Sequence, residues 1–124
     1  MSVPQQNMSV ADQQRIKGEN LIGEAQRKLN EARGKRSAAG KIEEACNLYV
    51  KAGNAFKMAK EWHRAGQAFS EAASLQLGYG RKTDAGINYM ESAKCYKKVI
   101  YRSVAYRHRQ SGLSHSHHFF LTKV

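Results

Sequence analysis

Small and aromatic residues recur along this chain at helical spacing. Within Lys41 to Lys98, Ala45, Tyr49, Phe56 and Lys57 return at an offset of 40 as Ala85, Tyr89, Tyr96 and Lys97. A weaker copy lies halfway, where Ala65, Phe69, Ala72 and Ala73 match Ala45, Tyr49, Ala52 and Gly53. The shared pattern is Ala-x-x-x-aromatic-x-x-Ala-small, which sets every named residue on one face of an α-helix. A half-period of 20 residues holds one helix of about 14–17 residues and a short turn, and two such helices make an antiparallel pair. Small residues let neighbouring backbones approach, while one aromatic per helix fills the remaining groove.

The elements follow in order. Residues 1–8 read as a flexible start. Ser9 with Asp12 three positions on forms a capping box, opening a helix that runs to about Arg33. Its apolar stripe is Leu21, Ala25, Leu29 and Ala32, with Ile22 adjoining. Gly18 and Gly23 each weaken it by up to roughly 1 kcal/mol against alanine, so it depends on docking to the next helix. Gly34 to Gly40 is a loop by composition. The second helix is expected from Lys41 to about Ala59, with Glu43 and Glu44 favouring the dipole in its first turn. Its buried face is Ile42, Ala45, Tyr49, Ala52, Gly53 and Phe56. Lys60-Glu61 is a turn, and Trp62 packs where the second and third helices meet. The third helix carries Ala65, Phe69, Ala72 and Ala73 to about Leu77, and Gly78-Tyr79-Gly80 breaks it. A fourth helix starts at Thr83 or Asp84, with Ala85, Tyr89, Ala93 and Tyr96 as its expected core face. After Lys98 the repeat stops, because the aromatic expected at position 109 is Arg109.

The expected fold is therefore all-α, with antiparallel helix pairs in a truncated, tetratricopeptide-like α-solenoid. Residues 9–98 form the helical repeat domain. Residues 99–124 are a basic, histidine-containing tail, expected to be poorly ordered beyond a short helical continuation through Tyr106. So few repeats leave the fourth helix without a successor, which predicts an exposed apolar face, marginal stability or self-association.

Charge narrows the class of partner. The net charge of +11 divides into +3 over residues 1–40, +4 over 41–98 and +4 over 99–124. An acidic partner follows: nucleic acid, an anionic membrane surface or an acidic protein. Lys57 and Lys60 close the second helix and Lys94, Lys97 and Lys98 the fourth; because helices alternate in direction, both ends fall on one edge and make a basic strip. Lysine is also favoured there by the helix dipole alone. A small basic protein binding nucleic acid is the alternative reading, against which stands the absence of any stacking or groove-reading motif.

Catalytic and metal chemistry find little support. Gly78 to Thr83 is only loosely like the end of a phosphate-binding loop, without the Gly-Lys-Thr order, and it follows a helix where a strand is required. Glu43 and Glu44 point in different directions. No nucleophile has a base at a recognisable spacing, so no enzyme and no cofactor is expected. His108, His115, His117 and His118 lack cysteine or acidic company, so no metal is assigned to them. Phe119, Phe120 and Leu121 are a short apolar run at the chain end. Cys46 and Cys95 fall at opposite ends of equivalent helices, which disfavours a disulfide and suits a reduced, cytoplasmic setting. The N-terminal residues show no signal-peptide core, and no window has the length of a membrane span.

The pieces KIEEAC, AGNAFKMAKEWHRAGQAF, EAASLQL, KTDAGINY and SAKCYKK, with GEAQRKL upstream, closely resemble the N-terminal part of soluble NSF attachment proteins of the alpha/beta type. The resemblance runs from about Asn20 to Lys98 and leaves a divergent tail. It implies a peripheral membrane adaptor in vesicle transport, one that binds assembled SNARE bundles and recruits the ATPase NSF to take them apart. SNARE bundles are acidic four-helix rods, so the resemblance makes Lys60, Lys97 and Lys98 candidate contacts, and Lys57 a weaker one. The family's first inter-helix loop carries exposed apolar residues that touch membrane. Here it reads RGKRSAAG, leaving Arg33, Lys35 and Arg36 to attract anionic headgroups at about 1 kcal/mol each. In the family NSF is engaged by later helices, so its recruitment is not expected of this stretch alone.

Overall fold

Three of the four helices press a glycine under an aromatic ring of another helix. The computed structural model describes residues 7–35 and 38–111. Its elements are α1 (Val10–Ala32), α2 (Ala38–Met58), α3 (Trp62–Gly78) and α4 (Lys82–Ser111). Each packs against its neighbour in the chain, giving an all-helical array of antiparallel pairs. A Cβ on Gly18 of α1 would meet Phe56 of α2 at 2.7 Å. One on Gly53 of α2 would meet Phe69 of α3 at 2.8 Å, and one on Gly66 of α3 would meet Tyr96 of α4 at 2.9 Å. The small-plus-aromatic repeat is thus a packing rule, each glycine being the hole that the aromatic knob fills. Gly18, which weakens α1 by propensity, is required by the Phe56 ring.

Ser9 caps the N-terminus of α1, as its spacing to Asp12 predicts. Ser9 Oγ accepts the Asp12 amide at 3.1 Å, and the Ser9 hydroxyl donates to the Asp12 carboxylate at 2.8 Å. The core runs through Ala25, Ala45, Tyr49 and Ala72 on one side, and through Ala52, Phe56, Ala65, Ala68, Phe69 and Cys95 on the other. Cys46 and Cys95 are free and buried.

Two of the turns share a closing device. After α2, the Lys60 amide donates to Lys57 O (3.0 Å) and the Glu61 amide to Phe56 O (2.9 Å). After α3, the Gly80 amide donates to Leu77 O and the Arg81 amide to Gln76 O, both at 3.0 Å. This pair of bonds is a Schellman motif, which needs a left-handed residue between helix and turn. Gly80 supplies it at φ +79, and Lys60 supplies it at φ 59.

Several boundaries and faces differ from expectation. Helix α2 begins at Ala38 rather than Lys41, so Glu43 and Glu44 lie beyond its first turn. There they pair with Arg81 of the α3–α4 turn (3.4 Å) and Lys28 of α1 (3.0 Å). Helix α4 continues past both Lys98 and Tyr106 to Ser111, as an unbroken run free of proline and glycine after Gly86 permits. Its buried face is Ala85, Asn88, Ser92 and Cys95. Tyr89 and Ala93, expected in the core, are exposed, and Tyr96 is half-buried. The reason is position in the stack. Helix α2 is sandwiched between α1 and α3 and buries two faces, whereas α4 packs chiefly on α3 and buries one. The polar residues on that face are satisfied: Asn88 Nδ2 donates to Gln76 Oε1 and Ser92 Oγ to Gly66 O, both at 2.7 Å.

Candidate interaction surface

Five cations on the body of the repeat pair with acids of another element. Arg64 of α3 reaches Glu19 of α1 at 2.7 Å and lies 4.7 Å over the Phe56 ring. Lys41 holds Glu31 at 3.0 Å. Lys57 of α2 holds Glu91 of α4 at 3.3 Å, and Lys94 meets the same carboxylate at 3.3 Å. The carboxyls respond in kind. A hydrogen bond from Arg64 holds Glu19 below the ordinary carboxylate value, and one from Lys57, backed by Lys94, does so for Glu91.

No acid follows Glu91 in the sequence. Lys97, Lys98, Arg102, Arg107 and Arg109 on α4 therefore have no carboxylate partner among the described residues, and neither does Lys60 in the α2–α3 turn. Alternating helix direction brings this turn beside the second half of α4. Trp62, the first residue of α3, packs on the Phe56–Phe69 core, and Lys98 Nζ lies 4.7 Å over its ring. Beside this contact opens a cleft of about 570 Å³ between Lys60, Glu61, Trp62 and His63 on one wall and Val99, Arg102, Tyr106 and Arg107 on the other; Glu61 is its one carboxylate, against three cations. A positive, aromatic-floored edge of this kind attracts an anionic surface and adds cation–π and apolar contact where the ring is exposed.

The four lysines named from sequence part company here. Lys60 and Lys98 meet at this edge through Trp62. Lys97 lies on the solvent side of α4, 5.8 Å over Tyr101. Lys57 is turned inward to Glu91 and the Phe69 ring. Arg102, Tyr106 and Arg107 belong to the edge and escaped the sequence reading, because the repeat ends before them; the missing helix breaker between Gly86 and Gly112 is the signal that could have found them.

At the opposite end, Arg33 and Lys35 are exposed in the α1–α2 turn, where Gly34 has φ +71. Arg36 lies outside the described residues, as do His115, His117, His118 and the Phe119–Leu121 run. Among the described residues no helix is long and apolar enough to cross a membrane.

Comparison with known proteins agrees with this architecture. Residues 16–118 match the family described as "Soluble NSF attachment protein, SNAP", so the match runs past Lys98. The alpha-soluble NSF attachment protein of Homo sapiens is 42% identical over 83 residues, covering 64% of this chain and 28% of that protein. The beta-soluble NSF attachment protein of Bos taurus is 38% identical over 83 residues, with the same 64% and 28% coverage. The alpha-soluble NSF attachment protein of Saccharomyces cerevisiae is 40% identical over 57 residues, covering 46% of this chain and 20% of its own length. The chain thus spans at most 28% of the length of these relatives. No solved structure matches it.

Proposed function

This chain belongs to the soluble NSF attachment protein family, and on that footing we propose that it serves as a non-enzymatic adaptor in SNARE disassembly and vesicle transport, docking on the acidic SNARE bundle. The observation that carries the reading is the Lys60–Trp62–Lys98 edge, extended by Arg102 and Arg107, whose cations form no ion pair among the described residues. An acidic rod laid along it gains from several cations at once, and such complementarity governs association rate and register more than raw affinity. Lys60, Lys97 and Lys98 are the contacts; Lys57 contributes less because Glu91 holds its charge. Arg33, Lys35 and Arg36 at the far end add attraction to anionic headgroups, which suits a cytoplasmic protein peripheral to membranes. NSF is a partner of the relatives by name. Nucleic acid is not the expected partner, since no groove-reading or base-stacking motif accompanies the charge.

The test is retention of this chain on an immobilised SNARE bundle at moderate salt, followed by NSF and ATP. Saturable retention that is lost in the Lys98→Glu/Arg102→Glu variant, with the bundle left intact by NSF, is the expected result. No retention of the unaltered chain, or retention indifferent to that variant, would sink the proposal.

A further inference from the structure

The α1–α2 and α3–α4 turns lie at one end of the array and are tied to each other. Tyr79 Oη donates to Ala39 O at 3.0 Å, Arg81 pairs with Glu43 at 3.4 Å, and Lys41 pairs with Glu31 at 3.0 Å. With Glu31 and Glu43 so held, Arg33, Lys35 and Lys82 form no ion pair among the described residues, and Asp84 is the one acid left to face them there. The same end carries apolar surface: Leu77 is 50% and Tyr79 41% exposed, and Gly78 and Gly80 beside them have no side chain to screen either. Both helices flanking each turn are in place, so the hairpins themselves set the exposure of these tips. The chain enters α1 and leaves α4 at the other end, about 45 Å away along the 30 residues of α4.

We propose that the α3–α4 turn is a second membrane contact, which acts with the α1–α2 turn to seat this end of the array on an anionic bilayer; it rests on the attraction of Arg33, Lys35 and Arg36 to headgroups. The shape of the end favours a surface over a peptide. Between the turns lies a cavity of about 180 Å³, bridged by the Tyr79–Ala39 and Arg81–Glu43 contacts, which is too small for a helix or an extended strand. The side chains suit a bilayer in layers. Leu77 enters the boundary between headgroups and acyl chains, the amphipathic Tyr79 ring lies at headgroup level, and Lys82 joins Arg33 and Lys35 against the anionic charge. Two turns fixed to each other bring their cations down together, with no linker to order on binding. The Lys60–Trp62–Lys98 edge, at the other end, stays clear of the bilayer.

Each basic side chain beside an anionic leaflet raises partition about fivefold. Lys82→Glu removes one positive charge and adds a negative one, so it should weaken vesicle binding about thirtyfold. Lys82 is the first residue of α4, where glutamate is favoured by the helix dipole, so this variant keeps the fold. Arg33→Glu/Lys35→Glu should weaken binding at least as much, and added salt should weaken it in every variant.

Cosedimentation of the full 124-residue chain with phosphatidylcholine vesicles, containing or lacking phosphatidylserine, reads the binding. An environment-sensitive fluorophore on Leu77→Cys reads depth at the turn, since Cys46 and Cys95 are buried. The same label on Met58→Cys, exposed at the opposite end, is the reference. The expected result is binding to the anionic vesicles that drops in Lys82→Glu, with a blue shift of the label at position 77 and none at 58. Binding that survives Lys82→Glu without a shift at 77, yet is lost in Arg33→Glu/Lys35→Glu, overturns the second contact and leaves the headgroup reading of the α1–α2 turn standing. No binding of the unaltered chain, equal binding to vesicles lacking phosphatidylserine, or a shift at 58 in place of 77 overturns both.

Discussion

Lys57 of α2 and Glu91 of α4 form an ion pair 3.3 Å across the end of α3, and Lys57 Nζ also lies 5.9 Å from the Phe69 ring centroid. That contact separates Lys57 from Lys60, three residues on, which forms no ion pair among the described residues. Lys57→Ala should lower stability by about 0.5–1 kcal/mol, the range of partly exposed pairs. Its effect on binding an acidic helical rod should be smaller than that of Lys98→Ala. Urea melts and a binding titration on both variants check this; equal losses in binding would return Lys57 to the contact surface.

Acid should weaken the fold through the same network. Glu19 and Glu91 both titrate below the ordinary 4.5, chiefly because Arg64 and Lys57 respectively donate hydrogen bonds to the charged form. A carboxyl with a lowered folded value stabilises above its unfolded value and loses that contribution as pH falls through the folded one. The urea midpoint should therefore hold from neutrality to about pH 4.5 and fall below it. The Glu19→Gln/Glu91→Gln double variant should be less stable at pH 7 and show a shallower acid decline. A decline as steep as in the unaltered chain would place the acid sensitivity elsewhere.

The glycine holes predict opposite signs for one chemical change. Gly53→Ala pushes a methyl within 2.8 Å of the Phe69 ring, which is 2% exposed and has nowhere to move, so a loss of about 1–3 kcal/mol is expected. Gly23 has nothing within 4 Å of its added Cβ, and Gly23→Ala should gain about 0.5–1 kcal/mol from helix propensity. Thermal melts of the two variants, moving in opposite directions, are the check.

Lys60 occupies a left-handed position at φ 59 where the equivalent turn uses Gly80. For a lysine that conformation costs about 1 kcal/mol. Lys60→Gly should consequently raise the melting temperature while weakening adhesion to an acidic partner, a split between stability and binding. A stability loss on that change would mean that the Lys60 stem packs more than its exposure suggests.

Burial pushes both the Cys46 and the Cys95 thiols up, and Cys46 Sγ also donates to Ala72 O at 3.5 Å. Neither should react with a thiol reagent in the native state, and both should react in denaturant. Labelling counted by mass under the two conditions settles it.

Periodicity and local spacing determined the helices, the Ser9 N-cap, the buried positions of α2 and α3, and the shared edge of Lys60 and Lys98. These depend on spacing within one helix or on the alternation of helix direction, which a sequence displays directly. Tertiary structure decided the rest. Whether Tyr89 and Ala93 are core depends on a neighbour for their face, and among the described residues α4 packs chiefly on α3, so Asn88, Ser92 and Cys95 go inside instead. Which lysine is free depends on where the carboxylates lie in space. Glu91 sits 34 residues from Lys57 in sequence and 3.3 Å away in the fold, and no helical period records that meeting.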